Sequence, residues 1–321
     1  MKQFNNILYV AEPASDQEAA IARAVSLAEN NQARLTVLAV LPPLTAGIGM
    51  PPGGPITAQL QQRRRDESLQ EMEALLAPHR TLQEIGIEVR EGRLFQEAVR
   101  AVLRDGHDLL IKPAEDPDTI SRLFGSDDMH LLRKCPCPVW LTRPGEAANY
   151  SNILTALDFT PWEPETIEQP LNIELLELGA SLALSDFASL HLAHAWEAFA
   201  EELLQHWSDK PAGDTMEYID AERQHHRAGL EKLAQRLHRE LGDESWNYLA
   251  PQQHLPRGKA LRVIPELATT LRADLVVMGT LGRSGIPGLI IGNTAEAILE
   301  QLRCSVLAIK PPGFVSPVTL G

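Results

Sequence analysis

The chain has 321 residues, which at roughly 100–200 residues per domain indicates about two domains rather than one small module. Hydrophobic residues make up 44% and charged residues 22% of the chain, so the composition excludes a disordered, collagenous or disulfide-stapled protein. Lys and Arg total 29 against 43 Asp and Glu, a net charge of -14. This balance disfavours nucleic acid as a partner, because the chain lacks the basic field that attracts phosphate backbones.

The sequence also indicates the cellular compartment of the protein. The apolar run near the N-terminus, from Ile7 to Val10, is too short for a signal-peptide core or a membrane span, and no longer run follows it. Three cysteines are an odd and small number for a chain of this size, which favours a reducing compartment. We therefore expect a cytoplasmic protein with no membrane span.

Strand patterns alternate with helical patterns along the first half of the chain. Runs of β-branched and aliphatic residues predict strands, and amphipathic stretches predict helices. Because helical crossovers join the strands, the sheet should be parallel with helices on both faces. The predicted strands are 7–10, 35–40, 87–89, 108–111 and 139–141, and the predicted helices are 16–29, 57–77 with Thr57 as its cap, and 96–103.

The same order of elements then begins again. The predicted strands are 153–157, 190–194, one beginning at 247–249, 274–278 and 306–309, with helices at 173–184, 217–241 and 261–271. Matching positions lie 146 residues apart near the front, from Ile7 to Ile153. The later offset is nearly constant, at 166 residues from Asp108 to Asp274 and 167 from Cys137 to Cys304. The chain is therefore predicted to be a tandem duplication of an α/β domain, giving two doubly wound parallel five-stranded sheets.

The offsets and composition also set the predicted domain bounds. Residues 1–144 form the first copy, 150–313 the second and 314–321 a tail, with a short Pro- and Gly-containing linker around 143–149. The second copy is longer at its front, at 160–165 and between Trp196 and Thr215. The first copy carries instead a Gly- and Pro-rich loop from Pro42 to Pro55, either a plain surface loop or a flap over the sheet edge.

A glycine-rich loop follows the predicted strand 274–278. It contains Gly279, Gly282 and Gly292 and runs into a helix that begins at Asn293 or Thr294. Glycines let the backbone approach a ligand, and a helix N-terminus offers amide groups to an anion. The loop therefore has the outline of a phosphate-binding site, but it has neither the Lys-Ser/Thr of a Walker motif nor the spacing G-x-G-x-x-G.

The G-x-x-G, nine-residue spacer, G spacing of this loop resembles the motif of the universal stress protein family. Both halves are similar to domains of that family, and together they cover essentially the whole chain. The match is to its tandem type, and further similar segments are 107–109, 130–136, 263–265, 292–296, 302–304 and 309–318. The resemblance implies a Rossmann-like fold of the adenine nucleotide α-hydrolase type and a role in the stress response.

In the ATP-binding branch of the family, the resemblance implies a nucleotide site in the second copy. Asp158, Ala195 and Met278 would contact adenine, and the glycine loop with the following helix start would hold ribose and phosphates, with Mg²⁺ if ATP is bound. Asn293 stands where the family has a hydroxyl residue. The implied site residues are Ala156, Asp158, Ala195, Met278, Gly279, Leu281, Gly282, Arg283, Gly292, Asn293 and Thr294.

The first copy has lost this loop. Gly125 aligns with Gly292, but Pro113 and Asp116 stand near the other glycine positions, and Glu115 and Asp118 add negative charge. Like charges repel, so this loop should not bind a polyphosphate. We expect the first copy to serve as an intramolecular partner in a pseudo-dimer, and the tandem chain itself can still form a homodimer.

The sequence contains no recognisable catalytic constellation. Gly-x-Ser-x-Gly is absent, and Asp158 is the one obvious carboxylate for a metal-assisted hydrolysis, so the protein is at most a weak ATPase. His194 and His254 are weak candidates for a metal site, since each is near the end of a predicted strand. Cys135-Pro136-Cys137 is not a C-x-x-C motif, and packing in the core is the simplest interpretation of the two cysteines.

Two functions remain open from the sequence. The first is a regulator or sensor of the stress response that binds an adenine nucleotide through the second copy. The second is a scaffold that binds a lipid-like ligand or a protein partner in a groove. The apolar residues of that groove would be Leu44, Ile48, Met50, Trp196, Phe199 and Trp207.

Overall fold

The structure is a computed structural model, and it describes residues 4–13, 15–44, 55–79, 85–115, 124–201, 206, 211–280 and 291–320. Three of the expected site residues, Leu281, Gly282 and Arg283, lie outside the described residues, as does most of the loop from Pro42 to Pro55. Within the described ranges, no helix is both long enough and apolar enough to cross a membrane.

The chain divides into two compact units, and their bounds differ from those of the sequence repeats. The N-terminal unit is Gln3–Ala148 together with Ser305–Gly321, and the C-terminal unit is Asn149–Cys304. The last strand and the end of the chain therefore belong to the N-terminal unit. At the predicted tail, the Arg100 guanidinium donates to the carbonyl of Thr319 at 3.2 Å.

The N-terminal unit is a sheet with helices between successive strands. Its described elements are β1 (Asn6–Val10), α1 (Glu18–Asn31), β2 (Arg34–Leu41), α2 (Pro55–Leu76), a 3₁₀ turn (Ala77–His79), β3 (Ile85–Glu91), α3 (Leu94–Asp105), β4 (Leu109–Pro113), α4 (Ser126–Lys134), β5 (Val139–Thr142) and β10 (Ser305–Ile309). The strand order is β3-β2-β1-β4-β5-β10. All of the pairings among β1–β5 are parallel, whereas β10 runs antiparallel to β5.

The C-terminal unit repeats this arrangement. Its described elements are β6 (Asn152–Ala156), α5 (Pro164–Ile167), α6 (Pro170–Asp186), β7 (Ser189–Ala193), α7 (Pro211–Leu249), β8 (Gln252–His254), α8 (Ala260–Thr270), β9 (Leu275–Gly279) and α9 (Asn293–Leu299). The strands are parallel in the order β9-β6-β7-β8. The core strands β6 and β9 are almost wholly buried, as the aliphatic runs in the sequence require.

The predicted α/β class with tandem, mainly parallel sheets is confirmed. The predicted five parallel strands in the second copy are wrong, because β10 pairs antiparallel with β5 of the N-terminal unit and four parallel strands remain among the described residues. Two local predictions are also wrong. Residues 247–249 do not begin a strand, because α7, which is kinked at Gly242 (φ +75°), resumes as a helix that reaches Leu249, and the strand follows at Gln252–His254. A short apolar run does not distinguish strand from helix by itself. Thr57 does not cap α2, which begins at Pro55, a residue whose fixed φ suits a first helical position. The bounds 1–144 and 150–313 stay a prediction.

The connections in the C-terminal unit define where a ligand can bind. From β6 the chain crosses over to β7 on one side, and it returns through β8 and α8 to β9 on the other side of β6. The strand order therefore reverses at β6. In open parallel sheets, the crevice beyond the carboxyl ends of the strands at such a reversal is the usual ligand-binding position.

Candidate functional site

The candidate site lies at the carboxyl ends of β6 and β9. Ala156 and Met278 are directly paired between these strands, so the residues that follow each strand emerge side by side. Asp158 is exposed and Gly279 half-buried, while Met278 is buried with 3% exposure. The structure thus brings together four of the expected site residues at one edge of the sheet.

Asn172 in the first turn of α6 fixes the backbone at Asp158. Its side-chain amide donates to the carbonyl of Asp158 at 2.9 Å, and its oxygen accepts from the amide of Asp158 at 3.2 Å. The same amide also donates to the carbonyls of Thr166 and Ile167. Asn172 is buried, with 1% exposure. Asn172 was not predicted from the sequence, although an Asn in the first turn of a helix often satisfies nearby backbone groups.

The described part of the glycine loop ends at the start of α9. The amide of Gly292 donates to the carbonyl of Thr280 at 2.8 Å, which joins the two described ends of the loop. Helix α9 begins at Asn293, as predicted, with Gly292 in an extended conformation before it. Asn293 and Thr294 are exposed and Ala295 is buried, so the helix presents its polar residues to solvent at this edge.

A buried chain of aromatic and imidazole groups lies directly beneath the site. His194 follows β7 and precedes Ala195, which is half-buried. Nδ1 of His194 is 3.1 Å from the carbonyl of Leu157, and its Nε2 is 2.8 Å from Nδ1 of His226. A carbonyl only accepts, so Nδ1 of His194 carries the proton. Phe159 stacks on His194 with ring centroids 3.7 Å apart, and the residues on either side of Asp158 are therefore held by packing.

The imidazoles of His194 and His254 do not meet, contrary to the arrangement that a metal site would need. Nε2 of His254 lies 3.0 Å from Nδ1 of His191, on the other face of β7 from His194. The backbone amide of His194 does donate to the carbonyl of His254 at 3.1 Å. Across the described part of the chain, no three His, Cys, Asp or Glu residues are placed to hold a metal ion together.

The paired imidazoles of His191 and His254 make stability depend on pH. Burial lowers the pKa of both groups, and His254 lowers that of His191 further. Below pH of about 6.5 the unfolded chain therefore binds more protons than the folded chain. We expect the free energy of unfolding, measured by urea denaturation, to fall between pH 7.5 and pH 5.5, and to fall less in His254→Gln.

The control for this pH dependence is His225→Gln, at an exposed position on α7. It should keep the dependence of the wild-type chain. Equal losses of stability on acidification in the wild-type chain and in His254→Gln would contradict the assignment to this pair.

The same edge of the N-terminal unit is filled by charged side chains. By the offsets of the repeat, Glu12 corresponds to Asp158 and Lys112 to Met278. Nζ of Lys112 is fully buried, 2.9 Å from the Asp128 carboxylate and 3.0 Å from that of Glu12. Burial alone would lower the pKa of Lys112, but Asp128 and Glu12 together outweigh it and raise the pKa. A closed ion-pair network therefore stands where the other repeat has an apolar residue and an exposed carboxylate.

Glu115 completes this network at the start of α4. Its carboxylate accepts from the amide of Asp127 at 3.1 Å, and Asp128 accepts from the amides of Glu115 and Gly125 at 2.8 and 3.2 Å. A Cβ added to Gly125 would lie 1.6 Å from Oε2 of Glu115. Burial, and then the nearby Asp128, raise the pKa of Glu115. Two carboxylates of the chain thus occupy the helix N-terminus that an anion would otherwise use.

The apolar groove considered from the sequence is only partly described. Ile48, Met50 and Trp207 lie outside the described residues. Trp196 is buried, with 4% exposure, and its indole donates to the carbonyl of Leu255 at 3.2 Å, whereas Phe199 is 86% exposed. Trp196 is therefore a core residue and does not contribute to an open groove.

Both halves of the chain match one known protein family. The sequence model of the universal stress protein family matches residues 3–143 and again 149–310. Universal stress protein E of Escherichia coli K12 is 32% identical over 235 residues, which cover 72% of this chain and 70% of that protein. A universal stress protein E homolog of Haemophilus influenzae is 29% identical over 320 residues, which cover 96% and 98%.

Solved structures show the same fold over the whole length. A functionally unknown protein from Pseudomonas aeruginosa PAO1 superposes with a TM-score of 0.63 at 25% identity, covering 96% of this chain and 93% of that one. A universal stress protein from Archaeoglobus fulgidus superposes with a TM-score of 0.63 at 15% identity, covering 95% and 98%.

Proposed function

Because this chain belongs to the universal stress protein family, a family of stress-response proteins, we propose that it is a regulator that binds an adenine nucleotide in its C-terminal unit. The nucleotide lies in the crevice beyond β6 and β9. Asp158, Ala195 and Met278 contact the base, and Gly279, Gly292 and the start of α9 hold ribose and phosphates. The protein acts through binding and is at most a weak ATPase.

The observation that carries the proposal is the difference between the two repeats at one topological position. In the N-terminal unit this position contains the buried ammonium of Lys112 and the carboxylates of Glu115 and Asp128. In the C-terminal unit Met278 replaces the ammonium, and the counterpart of Glu115 falls in the Gly-rich segment 279–292. No acidic residue occurs in that segment, so the repulsion that excludes an anion from the first repeat is absent from the second.

The exposed groups at this edge suit a nucleotide. The Asp158 carboxylate can accept from an amino or hydroxyl group, and Asn293 and Thr294 can donate to phosphate oxygens. Asn172 holds the backbone at Asp158 in a fixed position, so little ordering is needed on binding. Bound ATP would bring its own Mg²⁺.

Isothermal titration of the full chain with Mg-ATP tests the proposal. We expect a dissociation constant tighter than millimolar in the wild-type chain, and at least a tenfold weakening in Gly292→Asp, because the new carboxylate would repel the phosphates. The matched control is Gly213→Asp, which adds the same charge at an exposed position with no atom within 4 Å of the added Cβ. An absence of heat at millimolar Mg-ATP, or equal weakening in both variants, would reject nucleotide binding.

A further inference from the structure

Two cysteine thiols lie side by side in the N-terminal unit. Sγ of Cys135 and Sγ of Cys137 are 3.5 Å apart. Cys135 ends α4 and Cys137 precedes β5, with Pro136 between them, so two packed elements and a rigid residue hold the sulfurs at this separation. A disulfide needs about 2.0 Å between its sulfurs. A movement of about 1.5 Å would therefore join them.

Lys310 brings a buried cation to the same end of α4. Its side chain donates to the carbonyl of Leu132, lies 5.1 Å from the ring centroid of Phe314 and is only 7% exposed. Burial lowers the pKa of Lys310 to about 8, and the charge of Cys135 opposes that shift. The ammonium thus lies within electrostatic range of Cys135. A neighbouring cation favours the thiolate form of a cysteine, which is its nucleophilic form.

The two thiols differ in their roles. The hydrogen bond with Cys135 is the largest cause that raises the pKa of Cys137 well above its usual value, and burial is the next. Cys137 therefore stays protonated, and its thiol lies within hydrogen-bond distance of the sulfur of Cys135. Cys135 has no exposed surface, whereas Cys137 keeps 7%. Cys137 is therefore the surface point of the pair, and peroxide reaches Sγ of Cys135 when the chain opens locally at Cys137.

We propose that Cys135 and Cys137 form a peroxide-reactive dithiol, a modification site that closes to an intrachain disulfide. The Cys135 thiolate attacks one oxygen of hydrogen peroxide, so that an S–O bond forms, the O–O bond breaks, and the departing hydroxide takes up the proton that Cys135 had released. Sγ of Cys137 then attacks Sγ of Cys135, and the sulfenic oxygen leaves as water with the Cys137 proton. Two thiols are oxidised by two electrons, and one peroxide is reduced to two waters.

The test measures which thiols survive peroxide in the full, reduced chain. After treatment with hydrogen peroxide, the chain is unfolded, alkylated with N-ethylmaleimide and analysed by peptide mass spectrometry. We expect Cys135 and Cys137 to lose alkylation together, and the peptide that contains both to be about 2 Da lighter than its reduced form. Treatment with dithiothreitol should restore the alkylation of both cysteines. Cys304, the third cysteine, is also buried, and as internal reference it should stay alkylated. Equal alkylation of all three cysteines, or a disulfide that includes Cys304, would overturn the proposal.

Two variants separate the roles of the groups. Cys137→Ser should form no disulfide and should leave a sulfenic acid on Cys135 that dimedone traps. Lys310→Met should slow disulfide formation, because it removes the positive charge near Cys135, whereas Lys134→Met, which removes a basic residue of the same helix end, should not. If Lys310→Met and Lys134→Met form the disulfide at the same rate, Lys310 does not promote the reaction of Cys135. The alkylation test on the wild-type chain decides the dithiol itself, even if one of these variants does not fold.

Discussion

Lys112→Met is expected to lower the free energy of unfolding by about 3–5 kcal/mol. The ammonium is fully buried between Asp128 and Glu12 and also donates to the carbonyl of Pro113 at 2.8 Å. Without it the chain would bury the Asp128 carboxylate, which has no exposed surface, with no counter-ion. The loss is measured by urea denaturation at pH 7.5, with Lys232→Met as control.

The control separates burial from ion pairing as such. Lys232 makes an ion pair of 2.7 Å with Glu168, but its side chain is 47% exposed, so its removal should cost about 0–1 kcal/mol. The double variant Lys112→Met with Asp128→Asn should be more stable than Lys112→Met alone, because the uncompensated charge is gone. If Lys112→Met and Lys232→Met lowered the free energy of unfolding by similar amounts, the buried ion pairs of Lys112 would not stabilise this edge of the N-terminal unit in the place of a ligand.

Phe159→Ala is expected to lower the free energy of unfolding by about 3–5 kcal/mol. The ring is 1% exposed, stacks on His194, and lies where a Cβ on Gly229 would come within 2.4 Å of its Cε2 atom. Helix α7 therefore packs at this ring against the segment that follows β6. Because Phe159 follows Asp158, its loss should also loosen the carboxyl end of β6. Phe199→Ala, at an 86% exposed ring, is the control and should change stability by less than about 0.5 kcal/mol.

A double-mutant comparison checks the packing itself. Gly229→Ala should destabilise the wild-type chain, because the new methyl group meets the ring of Phe159. In the Phe159→Ala background the space is open, and alanine favours the helix over glycine, so Gly229→Ala should cost less or stabilise the chain. Equal effects in both backgrounds would show that the ring and the helix do not pack as described.

Much of the fold could be predicted from the sequence because its signals are local or periodic. The aliphatic runs of β1, β4, β6 and β9 identify buried parallel strands, and the nearly constant offset between the later parts of the two copies identifies the duplication. The start of α9 at Asn293 was also predictable, since a glycine precedes a polar first turn. The error at 247–249 arose where the chain resumes a helix after a kink at Gly242, which the local pattern does not reveal.

Some residues of the candidate site were predictable from the sequence, and others were not. The strand ends at Asp158 and Met278 were predictable from the position of the apolar runs and the family resemblance, and the structure places them side by side. Asn172 and Phe159 were not predicted, because their contacts join residues from different elements. The pairing of His254 with His191, and of His194 with His226, likewise depends on strand register and on the approach of α7.

The sequence by itself determined that the chain is two copies of one α/β domain and that only the second keeps a glycine loop, because repetition and glycine content are properties of residue order. The tertiary structure decided which groups fill the corresponding place in the first copy. Lys112 and Glu115 are separated along the chain from Glu12 and Asp128, and only the parallel pairing of β1 with β4 and the return of α4 bring them together. It also placed β10 beside β5, since hydrogen bonding between strands, unlike strand formation, depends on the whole chain.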